Sequence, residues 1–337
     1  MLAILFLTGC KTSQNATAFQ RFQFTSPHMG TLFTITLYAP DKTVAAIASQ
    51  KAFQRIADLE DVMSDYEADS ELMRLCDAPY GKPVKVSSDL FNILAISQNI
   101  SARSDGAFDV TVGPFVRMWR LARRHKVLPT PEQIATARVS VGWQKLQLDA
   151  RTQTVTLLAP DMKLDLGGIG KGYAADQAMH VLNQFGIRRA VVAASGDIAV
   201  GDPPPGKRGW EVGIEAFESR SNEVSRTLLL HNAGISTSGA SEQFVEINGV
   251  RYSHIVNPAT GLGMTNRIQD TVIGPDATTT DSLDTTINVL GVQRGLALAD
   301  STSGTAALIS TWENGRVETY PSKRFKKYFQ RTTDKYR

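Results

Sequence analysis

The chain has 337 residues, of which 42% are apolar and 20% are charged, and its formal net charge is +3. This apolar share is enough for a large hydrophobic core, so the composition excludes a mostly disordered protein. The strongest apolar run, Leu2 to Leu7, is too short to cross a bilayer, which excludes a polytopic membrane protein.

The positive charge is concentrated in the last fifteen residues, which contain seven basic residues and one acid. Residues 1–322 therefore carry a net charge of −3, which argues against a body that binds nucleic acid. We predict a basic C-terminal tail over residues 323–337 that lies outside the folded body.

The N-terminus has the pattern of a bacterial lipoprotein signal. A short apolar run leads into Leu7-Thr8-Gly9-Cys10, which resembles the lipobox, whose cysteine is lipidated and becomes the first mature residue. No Lys or Arg precedes this run, and a chance apolar start is the alternative interpretation. With Cys10 lipidated, Cys76 would be the one remaining thiol, so we expect no intramolecular disulfide. We predict a signal segment over residues 1–10 and a polar tether over residues 11–21.

Periodic patterns predict strands and helices in mixed order over residues 22–322. Strand-like alternation over Phe22–Tyr38 is interrupted at His28-Met29-Gly30-Thr31, and Asp41 is expected to cap a first helix. Further helices are predicted over Ser88–Arg103, from near Thr130, over Gly172–Phe185, over Thr280–Leu290 and around Val292–Ala299. Predicted strands are a hairpin over Lys145–Leu158 and the runs Ala190–Ala194, Trp210–Ile214, Thr227–Leu230, Gln243–Ile247 and Ala306–Ile309. Because no regular βαβ order is present, we predict one compact α+β domain with mixed, largely antiparallel sheets and packed helices.

A glycine-rich segment, Asp165-Leu-Gly-Gly168-Ile-Gly170-Lys171-Gly172, is predicted at a strand-to-helix junction. Backbone N–H groups and a helix N-terminus at such a junction can approach phosphate oxygens. The segment is not a Walker loop, because Asp165 stands at the first required glycine and Gly172 at the metal-binding Ser or Thr. It also lacks the spacing of the G-x-G-x-x-G dinucleotide motif. Tight backbone packing is therefore an equal alternative to phosphate binding.

A second cluster contains Asp281, Asp284 and Thr285, which are spaced to lie on one face of a helix. Such oxygen ligands suit Mg²⁺, which takes one or two carboxylates and completes its shell with water and substrate phosphates. The alternative is an acid-rich first helical turn that complements the helix dipole. A phosphate-type loop elsewhere in the chain favours the metal site.

Other segments are irregular enough to approach a ligand. They are Ser195-Gly196-Asp197, Ser236-Thr237-Ser238-Gly239 and Ser253-His254-Ile255-Val256-Asn257-Pro258. The run from Asp105 to Asp109 places an aromatic ring and a carboxylate beside a ligand or forms a buried turn. Because neither a Ser-His-Asp order nor a Cys/His zinc spacing is present, hydrolase and zinc sites receive little support.

Together these segments resemble the ApbE-type flavin transferases, the FAD:protein FMN transferase family. The resemblance extends from about Met29 to Gly291 and includes His28-Met-Gly-Thr, Met63-Ser-Asp-Tyr66, Val141-Gly-Trp143, the glycine-rich segment and the acidic cluster in one order. It implies an enzyme that transfers FMN from FAD to a Thr or Ser hydroxyl of an acceptor protein and releases AMP.

The resemblance also implies roles for individual residues. Its FAD-lining positions correspond to Met29, Tyr66, Ala107, Phe108, Asp109, Asp165, Lys171 and Ile255. Its Mg²⁺ ligands correspond to Gly168, through the carbonyl oxygen, and to Asp281, Asp284 and Thr285. The predicted catalytic residues are Lys171, Asp281 and His254, with His254 as a candidate base toward the acceptor hydroxyl.

The residues leave two other functions open. One is a Mg²⁺-dependent FAD pyrophosphatase that yields FMN and AMP, and the other is a non-catalytic flavin-binding lipoprotein. The family's acceptors are subunits of membrane redox complexes, so the resemblance implies a lipid-anchored protein in the bacterial periplasm, with the inner membrane favoured. No nucleic-acid partner is expected.

Overall fold

The structure is a computed structural model that describes residues 19–217, 224–239 and 244–329. The predicted signal segment with Cys10, most of the predicted tether and residues 330–337 of the predicted tail lie outside the described residues. Within the described part of the chain, no helix combines the length and apolar character that crossing a membrane requires.

Fifteen strands are present in the described residues. They are Gln20–His28 (β1), Thr31–Ala39 (β2), Val84–Lys85 (β3), Leu146–Asp149 (β4), Thr154–Leu157 (β5), Ala190–Ala194 (β6), Asp197–Val200 (β7), Trp210–Glu215 (β8), Val224–Leu230 (β9), Ala233–Gly239 (β10), Phe244–Ile247 (β11), Val250–Ser253 (β12), Ile268–Gly274 (β13), Ala306–Glu313 (β14) and Arg316–Pro321 (β15). Eight of them form one sheet in the order β1-β2-β6-β7-β10-β13-β14-β15, and all of its neighbours are antiparallel.

The described α-helices are eight in number. They are Lys42–Met63 (α1), Glu71–Asp77 (α2), Ser88–Arg103 (α3), Gly113–His125 (α4), Pro131–Arg138 (α5), Gly170–Gln184 (α6), Ala277–Ser301 (α7) and Lys326–Phe329 (α8). The core that joins α1, α3 and α6 to β2 contains fully buried side chains such as Phe33, Ile56 and Leu182. A second core packs α7 against β13 and β14, including Leu283 and Val272. These helices cover one face of the sheet, which confirms the predicted α+β class.

Local chemistry accounts for the helix boundaries that were predicted from the sequence. The Asp41 side chain accepts from the Val44 N–H at 2.9 Å and caps α1, as expected. Helix α3 has the predicted bounds Ser88–Arg103. In α7, Gly291 has a φ of +75° and interrupts the helix between the two predicted segments. The cap at Asp41 and the break at Gly291 were therefore located correctly. The predicted start of α7 at Thr280 is wrong, because Asp276 caps the helix and it begins at Ala277.

The helix α4 was not predicted, because Gly113-Pro114 reads as a turn in the sequence. In the structure Gly113 begins the helix, and a Cβ there would lie 2.4 Å from the carbonyl oxygen of Lys163. Pro114 occupies the first turn, where its missing N–H has no cost. The glycine and proline thus allow a close chain crossing and then start a helix.

The first residues of the predicted tail are part of the folded body. Phe325 is fully buried in a core with Ile273 and Leu308. Nη1 of Arg324 donates to several carbonyl oxygens at the end of α7, including those of Asp300 and Thr302, both at 3.1 Å. The domain boundary predicted after Ser322 is therefore too early. The prediction was wrong because it used only the net charge of the segment, which does not reveal the buried Phe325 or the hydrogen bonds of Arg324. At the other end, β1 begins at Gln20, two residues before the expected start of the domain.

Candidate functional site

The glycine-rich segment forms a loop that leads directly into α6. The backbone N–H of Asp165 donates to the carbonyl oxygen of Val110 at 2.8 Å, and Asp165 Oδ1 accepts from the Gly167 N–H at 2.8 Å. Gly168 lies against α7, since a Cβ at this position would be 3.0 Å from Thr285 Oγ1. The loop therefore connects one group of residues around Asp165 with another on α7.

Lys171 and three carboxylates form what we call the acid–lysine cluster: Lys171, Asp197, Asp281 and Asp284. Lys171, in the first turn of α6, forms an ion pair with Asp197 at the start of β7. Asp281 and Asp284 belong to α7 and interact electrostatically with this pair. The three acids are only 2–3% exposed, whereas the Lys171 side chain is 33% exposed. Lys171 thus lies between buried carboxylates and solvent.

The electrostatics of the cluster are dominated by burial. Burial, followed by the charge of Asp197, raises the pKa of Asp281 to about 7. Burial also raises the pKa of Asp284 well above its usual value, and Asp197, Asp270 and Asp281 add repulsion. Burial lowers the pKa of Lys171, but attraction to Asp281 and Asp197 outweighs it, so the net shift is upward. The lysine therefore stays protonated, and the acids around it repel each other.

Gly172 brings α6 and α7 into direct backbone contact. A Cβ at this position would lie 2.2 Å from the carbonyl oxygen of Ala277 and 2.8 Å from Asp281 Cβ. The N–H of Gly172 donates to Asp281 Oδ2 at 2.8 Å. Close packing of the two helices therefore explains why a glycine is required at position 172. The hydrogen bond from its N–H also orients the carboxylate of Asp281.

A second group lies at the beginning of the glycine-rich loop. Arg120 of α4 forms ion pairs with Asp65 at 2.6 Å and with Asp165 at 3.3 Å. Its guanidinium carbon lies 4.2 Å from the centre of the Tyr66 ring. Because Tyr66 is 76% exposed, Arg120 supports the ring while leaving much of it accessible. Burial and the neighbouring Asp65 charge raise the pKa of Asp165.

Asp109 organises the turn that was predicted to contact FAD. Its Oδ1 accepts from the Thr111 N–H at 2.8 Å, and its Oδ2 accepts from the Trp143 N–H at 2.9 Å. Burial raises the pKa of Asp109, although these hydrogen bonds oppose the shift. Phe108 is 4% exposed and belongs to the main core, while Ala107 is half-buried. The carboxylate of Asp109 thus holds two chain segments together.

Met29 lies in a two-residue turn between β1 and β2. Met29 and Gly30 have φ values of +49° and +70°, as the tight hairpin turn requires. The Met29 N–H donates to Glu60 Oε1 at 2.7 Å, which attaches the turn to α1. Glu60 Oε2 also lies 3.5 Å from Nδ1 of His28. The turn is therefore attached to Glu60 of α1 through His28 and Met29.

The segment with His254 and Ile255 follows β12 and packs against α4. Trp119 Nε1 donates to the carbonyl oxygen of Ser253 at 3.0 Å, next to His254. His254 is half-buried, and Ile255 is 8% exposed. Farther along, Arg138 of α5 donates to the carbonyl oxygen of Ala259 at 2.8 Å. Two helices therefore support the segment that was predicted to contain the base.

Residues 29–309 match the family model described as the ApbE family. The FAD:protein FMN transferase of Salmonella typhimurium is 33% identical over 336 residues, which cover 97% of this chain and 95% of that protein. The corresponding protein of Haemophilus influenzae is 34% identical, with 89% of each chain covered. The chain belongs to the ApbE family.

Solved ApbE structures have the same fold. The flavin transferase ApbE from Vibrio cholerae is 28% identical, with a TM-score of 0.83 over 92% of this chain and 100% of that chain. The apo form of the Pseudomonas stutzeri flavinyl transferase ApbE is 29% identical, with a TM-score of 0.82 over 94% and 98% of the two chains. The sequence resemblance to this family is therefore confirmed.

In this ApbE-family chain, the structure brings together five of the predicted site residues at the contact between α6, its loop and α7. These five are Gly168, Lys171, Asp281, Asp284 and Thr285. Asp165 and Tyr66 form a second group, which Arg120 joins. Met29 is held by α1, and the His254 segment is held by α4, so these residues belong to other walls of the fold.

Two residues of the candidate site were not assigned from the sequence. Asp197 belongs to the Ser195-Gly196-Asp197 motif, which was recognised as irregular but carried no predicted role. Arg120 lies on α4, a helix that was not predicted from the sequence. The ion pairs of both residues are made with partners distant in the chain, so no local sequence signal specifies them.

Proposed function

We propose that this protein is an FAD:protein FMN transferase, which moves FMN from FAD to a Thr or Ser hydroxyl of an acceptor protein. The observation that carries the proposal is the acid–lysine cluster at the end of a glycine-rich loop in an ApbE-family fold. A protonated lysine beside backbone N–H groups is suited to a pyrophosphate, which is anionic. The names of the relatives supply the flavin and the acceptor.

The oxygen atoms around Asp281 support a Mg²⁺ site in the same place. Asp281, Asp284 and Thr285 lie on one face of α7, and Gly168 contacts Thr285. Within the described residues, no three His, Cys, Asp or Glu side chains are arranged to hold a metal ion together. One or two carboxylates, with water and phosphate oxygens, are what Mg²⁺ usually takes. A cation here would also offset the repulsion that raises the pKa of Asp281 and Asp284.

Different residues of the chain have different roles in the transfer reaction. The acceptor hydroxyl oxygen forms a bond to the FMN phosphorus, the phosphoanhydride bond breaks, and AMP leaves. Lys171 binds the phosphate oxygens and stabilises the charge that develops on them. His254 takes the proton of the acceptor hydroxyl. Bound Mg²⁺ would act as a Lewis acid toward the pyrophosphate.

The flavin and adenine moieties need a separate surface, and the group around Arg120 offers one. The exposed Tyr66 ring is available for stacking against a planar ring, and the carboxylate of Asp165 is an acceptor for hydroxyl or amino groups. Met29, Ala107 and Ile255 would complete the apolar walls. Phe108 and Asp109 are buried behind this surface, where they hold the turn in place.

Incubation of the protein with FAD, Mg²⁺ and a Thr-containing soluble domain of a membrane redox subunit tests the proposed activity. We expect the mass of that domain to increase by FMN minus water, with release of one AMP per transfer. Free FMN and AMP with an unmodified acceptor would instead identify a pyrophosphatase. Unchanged FAD after long incubation would contradict both enzymatic functions.

Replacement of Asp281 by Asn is the sharpest single change in this site. The amide keeps the oxygen that accepts from the Gly172 N–H but loses the charge proposed to bind the metal. We expect the rate of AMP release to fall by about 10² to 10³, the usual cost of removing an electrostatic catalytic group, while the thermal unfolding temperature changes little. Asp276→Asn on the same helix is the control, because Asn caps a helix as well as Asp does. Near-normal activity of Asp281→Asn at saturating Mg²⁺ would contradict the ligand assignment.

The N-terminal motif and the family resemblance support a proposal for the cellular setting. We place the protein in the bacterial periplasm, anchored through lipidated Cys10 to a membrane, with the inner membrane favoured. The proposed acceptor is a subunit of a membrane redox complex that faces the same compartment. The anchor is tested by growing bacteria that produce the protein with a fatty acid analogue. We expect the analogue to be incorporated into the wild-type protein and not into Cys10→Ser.

A further inference from the structure

Asp197 occupies a rigid position in the middle of the main sheet. It is the first residue of β7, which pairs with β6 and β10 on its two sides. The preceding turn is tight: Ser195 has a φ of +57°, and a Cβ at Gly196 would lie 2.5 Å from the carbonyl oxygen of Thr237. The backbone that carries the Asp197 carboxylate therefore has little freedom to move.

Asp197 is the residue that pairs directly with Lys171. Its side chain is 3% exposed and lies beneath the lysine, whose own side chain is 33% exposed. The ammonium group is also attracted by Asp281 and Asp284 on α7. Three carboxylates thus attract one ammonium group, and Asp197 forms the ion pair.

The pairing of Lys171 with Asp197 affects the two acids on α7. A lysine ammonium in direct contact with Asp281 or Asp284 would occupy the carboxylate oxygens that the proposed Mg²⁺ needs. It would also place a positive charge next to the cation, which would weaken cation binding. In the structure the ion pair is made with Asp197, which belongs to β7, and not with either acid of α7.

We propose that Asp197 is a positioning residue that holds the Lys171 ammonium away from Asp281 and Asp284, so that these two carboxylates are left to a divalent cation. The inference rests on the proposed function, because it takes Asp281 and Asp284 as the cation ligands. Asp197 acts on the metal site through Lys171 and does not contact the cation.

A double-mutant cycle on Lys171 and Asp197 tests the proposal, with Mn²⁺ as the probe and its paramagnetic resonance signal as the measure of binding. In the presence of Lys171, Asp197→Asn should weaken Mn²⁺ binding about tenfold, because the released ammonium turns to Asp281 and Asp284. In the Lys171→Met background, the same substitution should weaken binding less than about threefold. Asp202→Asn is the control, because this acid pairs with Arg188 in a partly exposed position after β7.

The outcomes separate this inference from the proposed function. Equal losses on Asp197→Asn in both backgrounds would mean that Asp197 acts on the cation directly, which overturns the positioning role. An unchanged Mn²⁺ affinity in Asp197→Asn overturns it as well. If Asp197→Asn fails to fold, Lys171→Met alone decides: we expect binding equal to or tighter than wild type, and weaker binding contradicts the proposal. Mn²⁺ binding that is insensitive to Asp281→Asn would instead contradict the metal ligands of the proposed function.

Discussion

Buried carboxylates are the residues that most clearly set this site apart from the rest of the fold. Asp176, Asp197, Asp281 and Asp284 all lie where α6 and α7 meet each other or the main sheet. Two of them have identified partners: Asp176 accepts hydrogen bonds from the N-terminus of α7, and Asp197 forms an ion pair with Lys171. Ionising such groups in a buried position costs free energy, so they are expected where function requires charge.

The pH dependence of stability provides a test at Asp176. Its carboxylate accepts from the N–H groups of Ala277 and Thr278 at 3.0 and 2.8 Å, yet burial raises its pKa to about 6. Because the folded protein binds the proton more tightly than the unfolded chain does, protonation of Asp176 stabilises the fold. This contribution to the free energy of unfolding is full below about pH 4 and is lost as the pH rises through 6. The free energy of unfolding, measured as wild type minus Asp176→Asn, should fall over this interval by up to about 3 kcal/mol. A flat or rising difference would contradict the raised pKa.

At the scale of elements, the crossing of α6 over α7 is what assembles the proposed chemistry. The glycine-rich loop enters α6 just before Lys171, and α7 presents its acids to the same side. Gly172 permits the close crossing of the two helices. Gly234 permits a similarly close approach of Asp276, because a Cβ at Gly234 would lie 2.2 Å from the carbonyl oxygen of Asp276. Small residues on two elements therefore set the distance between the lysine and the acids.

Substitution of Gly172 by Ala tests this packing. The added Cβ would meet the backbone of α7 at 2.2 Å, so the helices must separate. We expect the free energy of unfolding to fall by at least about 2 kcal/mol, measured by urea denaturation. Gly170→Ala is a matched control in the same turn, because a Cβ there meets no atom within 4 Å. That variant should be neutral or stabilised by about 0.5 kcal/mol, as alanine in a helix usually is; equal losses in both variants would contradict the argument.

Sequence patterns predicted the parts of this fold that are set by neighbours in the chain. Caps such as Asp41 and the break at Gly291 were located because turn and capping chemistry is local. The acids of α7 were recognised from their spacing. The roles of Arg120 and Asp197 were not predicted, because each is defined by a partner that the fold, rather than the chain order, brings close.

For the whole molecule, the C-terminal region shows how far the folded body extends. By charge alone, residues 323–337 look like a solvated tail, yet Phe325 and Tyr328 pack into a core on the sheet. Arg324 binds the carbonyl oxygens at the end of α7, and Phe325 fills a core with residues of β13 and β14. The helix that carries the proposed metal ligands is therefore anchored at its far end by this segment.

Replacement of Phe325 by Ala tests whether this segment stabilises the body as a unit. The ring is fully buried, so its loss should reduce the free energy of unfolding by about 3 to 5 kcal/mol. Phe185→Ala is the matched control, because that ring is 43% exposed and should cost less than half as much. AMP release from FAD by the folded Phe325→Ala protein, measured well below its unfolding temperature, should stay within about threefold of wild type, since the change leaves the acid–lysine cluster intact. If the two variants unfold alike, residues 323–329 are a peripheral tail after all; if activity is lost while the protein stays folded, α7 transmits the change to its metal-binding end.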